Sequence, residues 1–333
     1  MNIVPAEATL LPLIPSTAEL DLLQRIELCG RVCYKSEDKI TVDSCRKFVQ
    51  GIIKRGHEAV LEHAGIIVKM SFADYLYLQG TINGLEERGE FIFTSYLRFT
   101  TGPVDRSIVS GNVRAWRDVA KACRCSGQTL PGCFRVIFEN YPSLFPEYTT
   151  TLCNPDNQYC PVRILHATDM VTDAERLAHV DRTIRFTCDR GVSHEIVRHR
   201  PASYCQESTR YCNYALGKFG EEITVIDPVA LGLSINAYSH WEWGCLCAEK
   251  AYFQMLAMGA SPQAARSVLP NSLKTEVMMT ATNSEWRHFS GLRCAPAAHP
   301  QMQEVAKKAL ENLHGAETGL FDALYKEVFG GDR

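Results

Sequence analysis

Arginine and histidine side chains are concentrated in residues 195–211. This stretch contains, together with small hydroxyl side chains, Arg198, His199, Arg200, Ser203, Ser208, Thr209 and Arg210. Guanidinium groups bind phosphates and planar carbonyl or imide edges through paired N–H donors, and short hydroxyls complete such sites. Pro201 lacks a backbone donor and favours a turn, so one element ends there and bends into a loop. The stretch predicts a binding site for a small anionic molecule.

A metal-dependent hydrolase is the first alternative, because His194 and Glu195 precede His199. The helical zinc motif requires histidines four positions apart on one face. Here they are five apart, which turns the second histidine about 140° further around a helix of 3.6 residues per turn. We therefore reject a zinc site at this motif and predict no metal.

The composition limits the classes of partner. The chain has 333 residues, 46% of them hydrophobic, and a formal net charge of −3. No global positive field attracts nucleic acid, although the local arginines keep a nucleic-acid-binding module open as an alternative of a different class. The N-terminus lacks a basic leader, and no apolar run reaches membrane-spanning length. We expect a cytoplasmic protein without nucleic-acid or membrane partners.

Fourteen cysteines require an interpretation. The chain has no two CxxC pairs, so the common zinc pattern is absent. In the cytosol, free cysteines stay reduced and pack as small hydrophobic residues. We interpret these cysteines as ordinary reduced thiols, with a metal knuckle around residues 123–133 as the less favoured alternative.

The hydrophobic patterns indicate an α+β protein in a single domain over residues 1–333. Helices are predicted over residues 16–36, 43–56, 237–257, 262–270, 285–292 and 301–313, and strands over residues 65–72, 183–189, 222–226 and 275–282. The Ser16-Thr17 pair has the form of a helix cap. Residues 76–180 show little regular pattern, and we interpret them as an insertion with some helix of its own.

Further candidates lie outside the arginine-rich stretch. Arg266 and Arg293 follow short apolar runs, where an arginine is a poor choice unless it reaches a partner. His57 and the 286–289 aromatic segment are consistent with either structural or cofactor-binding roles. Residues 111–116 weakly echo residues 282–287, and we interpret this echo as chance.

The arginine-rich stretch resembles the signature of flavin-dependent thymidylate synthases, the ThyX family. That signature is Arg-His-Arg, two variable positions, Ser, one variable, Asn, two variable, Ser, one variable and Arg. Residues 198–210 match it except that Cys205 replaces Asn. Residues 56–63, 265–270 and 286–301 resemble further family blocks in the same order. The resemblance implies a ThyX-like mixed sheet flanked by helices, with residues 76–180 as a long insertion.

The resemblance also implies an activity. Members bind FAD and dUMP in a homotetramer whose active sites are shared between subunits, use NADPH and methylenetetrahydrofolate as co-substrates, and form dTMP without a protein nucleophile. Arg293 would polarise the uracil imide and favour ionisation at N3, as a fixed cation can. The residues implied to bind the nucleotide are Glu195, Arg198, Gln206, Glu207, Ser208, Arg210, Arg266 and Arg293. Those implied to contact FAD are His57, Arg198, His199, Arg200, Gln206, Asn283 and His288.

Three positions depart from the family pattern. Cys205 breaks the signature, and Ala59 stands where a hydroxyl residue often contacts flavin. The family's Asn-x-Arg motif appears here as Thr282-Asn283-Ser284, shifted or missing its arginine. These departures keep open a related flavoenzyme that modifies another pyrimidine nucleotide, for example by hydroxymethylation.

Overall fold

The computed structural model describes residues 1–14, 18–90, 94–102, 106–148, 150–155, 160–210, 214 and 220–330. The strands in these ranges are β1 (Asn2–Val4), β2 (Glu7–Leu10), β3 (Gly65–Met70), β4 (Leu97–Thr100), β5 (Ser107–Asn112), β6 (Arg163–Leu165), β7 (Asp181–Asp189), β8 (Ser203–Gln206), β9 (Thr224–Ile226) and β10 (Lys274–Thr282).

The α-helices in the same ranges differ widely in length. They are α1 (Glu19–Tyr34), α2 (Ser44–Lys54), α3 (Phe72–Glu87), α4 (Val113–Cys125), α5 (Cys133–Asn140), α6 (Asp173–His179), α7 (Arg190–Ile196), α8 (Ile235–Ala257), α9 (Pro262–Ala265), α10 (Asn283–Arg293), α11 (Pro300–Ala316) and α12 (Asp322–Phe329). Short 3-10 turns connect several of them, including one at Glu58–His63. None of the helices in the described ranges combines the length and apolar character needed to cross a bilayer.

Two antiparallel sheets form the framework. In the described residues the first sheet has the strand order β2-β7-β10-β8, and the second has the order β4-β5-β3-β6. The strands β1 and β9 form a separate parallel pair. The predicted α+β class is confirmed, but the strands form two antiparallel sheets and a parallel pair instead of a single mixed sheet.

Most predicted elements occur near their predicted positions. The helix predicted from residue 16 is α1, although its predicted cap, Ser16-Thr17, lies outside the described residues. The strand predicted to residue 72 ends at Met70, because Ser71 caps the next helix by accepting a hydrogen bond from the Asp74 backbone. Residues 76–180 are more regular than predicted, since they contribute most of the second sheet and four helices.

The first sheet is buried beneath α10 and α11. Val305, Ala306 and Leu310 recur at helical spacing along α11 and are completely buried, so this helix covers the sheet with one apolar face. The second sheet packs with α1, α2, α4 and α5 in a separate apolar cluster. The strand β10 contributes Met278 to this cluster and Val277 and Met279 to the cluster beneath α11, so residues that follow strands of the first sheet have a rigid base.

The connection from β10 to α10 is fixed by two hydrogen bonds. Thr282 ends the strand and caps the helix by accepting a hydrogen bond from the Glu285 backbone at 3.2 Å. The indole Nε1–H of buried Trp286 donates to the Arg182 carbonyl oxygen at 3.0 Å. These contacts set the direction of α10 and hence the position of Arg293 at its C-terminal end.

A buried carboxylate joins α11 to β7 and α6. Glu317 accepts hydrogen bonds from Arg182 at 2.6 Å and from Arg176 at 2.9 Å, and both Glu317 and Arg182 are only 7% exposed. Removing one member of a buried ion pair leaves the other charge without compensation. This contact should therefore contribute strongly to stability.

We predict that Glu317→Gln lowers the free energy of unfolding by about 3 kcal/mol, because it leaves Arg182 buried without a counter-charge. Urea unfolding monitored by circular dichroism provides the measurement. Asp173→Asn is the matched control, because Asp173 also pairs with Arg176 but is 73% exposed. The control should change stability by less than about 0.5 kcal/mol; equal effects of the two variants would contradict the prediction.

Candidate active site

The arginine-rich stretch begins at the end of β7. Asp189 caps α7 by accepting a hydrogen bond from the Val192 backbone at 2.6 Å. After this short helix the chain turns at Pro201 and forms β8, which pairs with β10. The Tyr204 hydroxyl then donates to the carbonyl oxygens of Ile196 and His199, at 3.1 and 2.9 Å. The turn is thereby tied back to α7.

Arg293 connects α10 to this turn. Its Nη1 donates to the Glu195 carboxylate at 2.9 Å, and its Nη2 donates to the Glu195 carbonyl oxygen at 3.1 Å. Its Nε–H donates to His199 Nε2 at 2.9 Å. A guanidinium has five N–H donors, so among the described residues two remain for a ligand. The Arg293 side chain is 20% exposed and can present them at the surface.

His199 is held neutral. Its Nε2 accepts from Arg293, so the proton of the neutral ring lies on Nδ1. Burial, together with the charge of Arg293 and the nearby His288, lowers the pKa of His199 to about 4. The ring also packs edge-on against Phe289, with centroids 4.8 Å apart. The arrangement places one fixed cation beside one neutral imidazole.

A cleft lined in part by α7 contains further cationic groups. Its volume is about 480 Å³, and its lining includes Arg190, His194, Thr209, Arg266 and Asn271. Arg266 donates to the Thr209 hydroxyl at 3.3 Å, and Arg190 Nη1 is buried without a hydrogen-bond partner among the described residues. Unsatisfied guanidinium donors beside a hydroxyl match the oxygens of a phosphate.

His194 and Glu195 are consecutive residues of α7, and they link the two regions. His194 lines the cleft, whereas Glu195 binds Arg293. A ligand lying across this helix could therefore contact an anion-binding cleft with one part and the Arg293 donors with another.

Glu207 is committed to an ion-pair network. It is 3% exposed and accepts from Lys274 at 3.1 Å, while Lys35 lies 3.8 Å away. Both lysines also bind Glu276. Burial alone would raise the pKa of Glu276, but these two ammonium groups lower it to about 2. Within the described residues, Glu207 therefore fixes the segment after β8 against α1 and β10.

Other signature residues have mainly local partners. The Gln206 amide donates to the Ser193 hydroxyl at 2.9 Å, and the Ser208 backbone donates to the Cys33 carbonyl oxygen at 3.0 Å. Cys205 is buried, and a hydrogen bond with the Cys33 thiol together with burial raises its pKa well above the ordinary value. Cys205 is therefore a protonated core residue and not a nucleophile.

The predicted flavin contacts do not all lie together. His288 is exposed and lies beside His199, with ring centroids 5.9 Å apart, while Arg198 and Arg200 are exposed on the same turn. Arg210 is also exposed. His57 lies apart from this turn, exposed before the 3-10 turn Glu58–His63. Asn283 is completely buried, and its amide donates to the Arg176 carbonyl oxygen at 3.2 Å.

Sequence reasoning missed several residues of the site. Arg190 and His194 line the cleft, Tyr204 anchors the turn, and Lys35 and Lys274 hold Glu207. The spacing of four between Arg190 and His194 would place them on one helical face, and this signal was available in the sequence. The lysines gave no comparable signal, because they lie far from Glu207 along the chain.

The cysteines at residues 123–133 differ in exposure to solvent. Cys123 and Cys133 are buried, whereas Cys125 is exposed. In the part of the chain that the structure describes, no group of three potential metal ligands comes together.

Known proteins resemble the part of the chain that carries this geometry. Residues 170–316 match the sequence model of the thymidylate synthase complementing protein family, Thy1. Curated relatives named flavin-dependent thymidylate synthase include one from Pyrococcus abyssi, 33% identical over 126 residues, and one from Geobacter sulfurreducens, 30% identical over 132 residues. These alignments cover 38% and 40% of this chain, and 51% and 55% of the relatives.

This part of the chain is therefore similar in sequence to the flavin-dependent thymidylate synthases. The resemblance to the ThyX family is confirmed over residues 170–316, which contain α7, the signature, Arg266 and Arg293. The chain spans about half the length of the curated relatives it matches.

Stability should depend on pH through the buried imidazoles. Burial, with a nearby arginine in each case, lowers the pKa of His63 to about 3, of His179 to about 4 and of His199 to about 4. The unfolded chain binds protons at these histidines below about pH 6.5, whereas the folded chain does not. Stability is therefore lost as the pH falls from about 6.5 towards 4.

We predict that His199→Gln reduces the slope of unfolding free energy against pH by up to about 1.4 kcal/mol per pH unit in this window. Burial is the main cause that raises the pKa of Asp118 to about 6, so Asp118 contributes to the pH dependence with the opposite sign. Its contribution is the same in wild type and variant and cancels when their slopes are compared. Denaturant unfolding at several pH values measures the slope. His194→Gln, at an exposed position, is the control; an unchanged slope in His199→Gln would contradict the assignment.

Proposed function

We propose that the protein is a flavin-dependent thymidylate synthase that converts dUMP to dTMP. The observation that carries this proposal is Arg293, a cation fixed by Glu195 and His199 with two N–H donors still available. A guanidinium in this arrangement can bind the planar imide edge of uracil and stabilise negative charge on it. His199 is neutral, so within this hydrogen-bonded pair Arg293 carries the positive charge that would favour ionisation of the ring.

The phosphate of dUMP would lie in the cleft lined by Arg190 and Arg266. Arg190, Arg266 and Thr209 line this cleft, and Arg190 has a buried donor that is not otherwise used among the described residues. Arg198, Ser208 and Arg210 would add contacts near its edge. The uracil ring would then extend across α7 towards Arg293, with Glu195 and Gln206 close by.

The residues at the turn also fit FAD. Arg198 and Arg200 are exposed cations suited to the diphosphate, and His288 is an exposed ring beside His199. FAD would supply hydride-transfer chemistry when bound. His57 would contribute from its separate position, whereas the buried Asn283 would act through the start of α10.

The overall reaction balances with two co-substrates. Methylenetetrahydrofolate would supply the carbon that bonds to C5 of uracil, C5 would lose its proton, and NADPH would supply the two electrons that bring this carbon to the methyl level. We place the enzyme in the cytoplasm and propose that the chains assemble as a homotetramer with active sites shared between subunits.

Hydroxymethylation of a pyrimidine nucleotide is the second candidate. Cys205, Ala59 and Ser284 differ from the family pattern, and Ala59 and Ser284 are exposed, so both could alter contacts to a bound cofactor. The two candidates differ in their product, because hydroxymethylation retains an oxygen on the transferred carbon and does not require the two electrons from NADPH.

The flavin is the first test of the proposal. The protein should be purified, or reconstituted with FAD, and should then show a flavin absorption spectrum. Oxidation of NADPH and formation of dTMP should both require dUMP and methylenetetrahydrofolate. Failure to bind FAD under any condition would overturn the proposal, and strongly salt-dependent binding to DNA would favour the nucleic-acid alternative.

Arg293→Ala is predicted to abolish dTMP formation while FAD remains bound, because the variant loses the fixed cation at the uracil imide. The loss should be at least about 100-fold in kcat, as for removal of a strong charge-stabilising donor. Arg287→Ala, exposed on the same helix, is the control. Turnover retained in Arg293→Ala would show that another group carries this role.

Arg266→Ala is predicted to raise KM for dUMP by about 10- to 100-fold, because a charge-assisted hydrogen bond to phosphate contributes about 1.5–3 kcal/mol. The value of kcat should change little, because the phosphate lies away from the reacting carbon. Steady-state kinetics with dUMP as the varied substrate provides the measurement. A change confined to kcat would place the phosphate elsewhere.

A further inference from the structure

The two sheets have the same construction. The order β2-β7-β10-β8 of the first sheet corresponds to β6-β3-β5-β4 of the second, and neighbouring strands are antiparallel in both. A helix follows the equivalent strand in each case, α10 after β10 and α4 after β5. We call β3, β4, β5 and α4 the first unit, and β7, β8, β10 and α10 the second unit.

The two units also agree in register. Gly65 pairs with Asn112 in the first unit, and Asp181 pairs with Thr282 in the second. Asn112 and Thr282 both cap the following helix by accepting a hydrogen bond from the backbone three residues later. Position 112 is therefore equivalent to position 282, and position 65 to position 181.

Equivalent residues make equivalent hydrogen bonds. Four positions after the cap, Trp116 donates to the Ile66 carbonyl oxygen at 3.3 Å, as Trp286 donates to that of Arg182 at 3.0 Å. Directly after the cap, the backbone of residue 113 donates to residue 64 at 2.9 Å, as that of residue 283 donates to residue 180 at 3.1 Å. The sequence echo between residues 111–116 and 282–287 thus has a structural basis, and its interpretation as chance does not hold.

The contacts between the units are reciprocal. His63, two positions before β3, bonds through Nδ1 to the Thr280 hydroxyl of the second unit at 2.7 Å. His179, two positions before β7, bonds through Nδ1 to the Ser110 hydroxyl of the first unit at 2.7 Å. Position 110 is equivalent to 280, so each unit makes on its partner the contact that it receives. Such reciprocity defines a twofold relationship.

The relationship breaks at one position. His179 Nε2 bonds to the Thr100 hydroxyl at 2.8 Å, whereas His63 Nε2 is buried without a hydrogen-bond partner of good geometry among the described residues. Thr100 pairs with Ile108 and Cys205 pairs with Met278, so Cys205 is the equivalent of Thr100. The thiol of Cys205 bonds to Cys33 instead.

The first unit has no counterpart of the Arg293 site. Eleven positions after its cap, where the second unit has Arg293, the first unit has Cys123, which is completely buried. Chemistry at this position is therefore confined to the second unit. What the first unit shares with the second is its strand pairing, its helix cap and the reciprocal contacts between the two units.

We infer that residues 58–125 contain a second, non-catalytic copy of the unit that carries the candidate site, packed on it across an internal twofold, and that His63 is a positioning residue for β8. The strands β4 and β5 and the helix α4, within residues 76–180, thus belong to a partner of the catalytic unit. The strand β8 leads into Gln206 and Glu207, so its position affects the nucleotide site. The internal twofold concerns packing and does not depend on the proposed activity, whereas the positioning role of His63 rests on the proposed function.

A reciprocal exchange tests the equivalence of positions 205 and 100. Cys205→Thr should give His63 Nε2 a hydroxyl partner, as Thr100 does for His179, and should raise Tm by about 2 °C; Thr100→Cys should lower Tm by a similar amount. Cys188→Thr is the matched control, because it places a hydroxyl at a buried strand position in an apolar cluster and should lower Tm. Nitrogen-15 spectra of labelled histidines should show a new hydrogen bond at His63 in Cys205→Thr only.

The spectra decide the outcome. A shifted His63 signal in Cys205→Thr supports the equivalence whatever the change in Tm. An unchanged His63 signal, with Tm lowered as in Cys188→Thr, would overturn the inferred equivalence.

The positioning role has a separate test that uses the nucleotide. His63→Leu should raise KM for dUMP by about tenfold and leave kcat within about twofold, because β8 shifts while the Arg293 group stays in place. His63→Asn can keep the contact with Thr280 and should restore KM. An unchanged KM in His63→Leu would refute the positioning role. If the wild-type protein has no activity, that result counts against the proposed function only. The Tm measurements and the histidine spectra still test the equivalence of the two units.

Discussion

The hydrogen bonds of Arg293 are the constraint on which the site depends. One guanidinium binds the side chain and backbone of Glu195 and the ring of His199, and so ties α10 to the turn after α7. Each guanidinium nitrogen is used, which fixes the plane of the group, yet two N–H donors remain available among the described residues. A cation fixed in this way needs little reorganisation when charge develops on a ligand.

The sequence was sufficient to locate the arginine-rich stretch as a candidate anion site. The arginine-rich stretch is local, so the residue types and spacing of positions 198–210 predict an anion site before any fold is known. Arg266 and Arg293 could be added because an arginine after an apolar run requires a partner. In the structure, Arg293 contacts the arginine-rich stretch at His199. Arg266 lines the nearby cleft, to which α7 contributes Arg190 and His194.

Pairings between distant segments could not be read from the sequence. Glu207 meets Lys35 and Lys274 only because α1 and β10 pack against the same strand. The burial of Asn283 follows from the way β10 passes into α10 beneath α6, which no local pattern encodes. The similarity of the two units lies in their strand pairing. In the sequence it is visible only as the weak echo between residues 111–116 and 282–287.

The product formed from dUMP tests the central claim most directly. Protein reconstituted with FAD should be incubated with dUMP, NADPH and methylenetetrahydrofolate, and the nucleotide analysed by mass spectrometry. If the Arg293 cation serves reductive methylation, the product is heavier than dUMP by one methylene group. This product forms only with NADPH and is absent when the Arg293→Ala variant is used. A hydroxymethyl product, or unmodified dUMP despite bound FAD, would contradict the account.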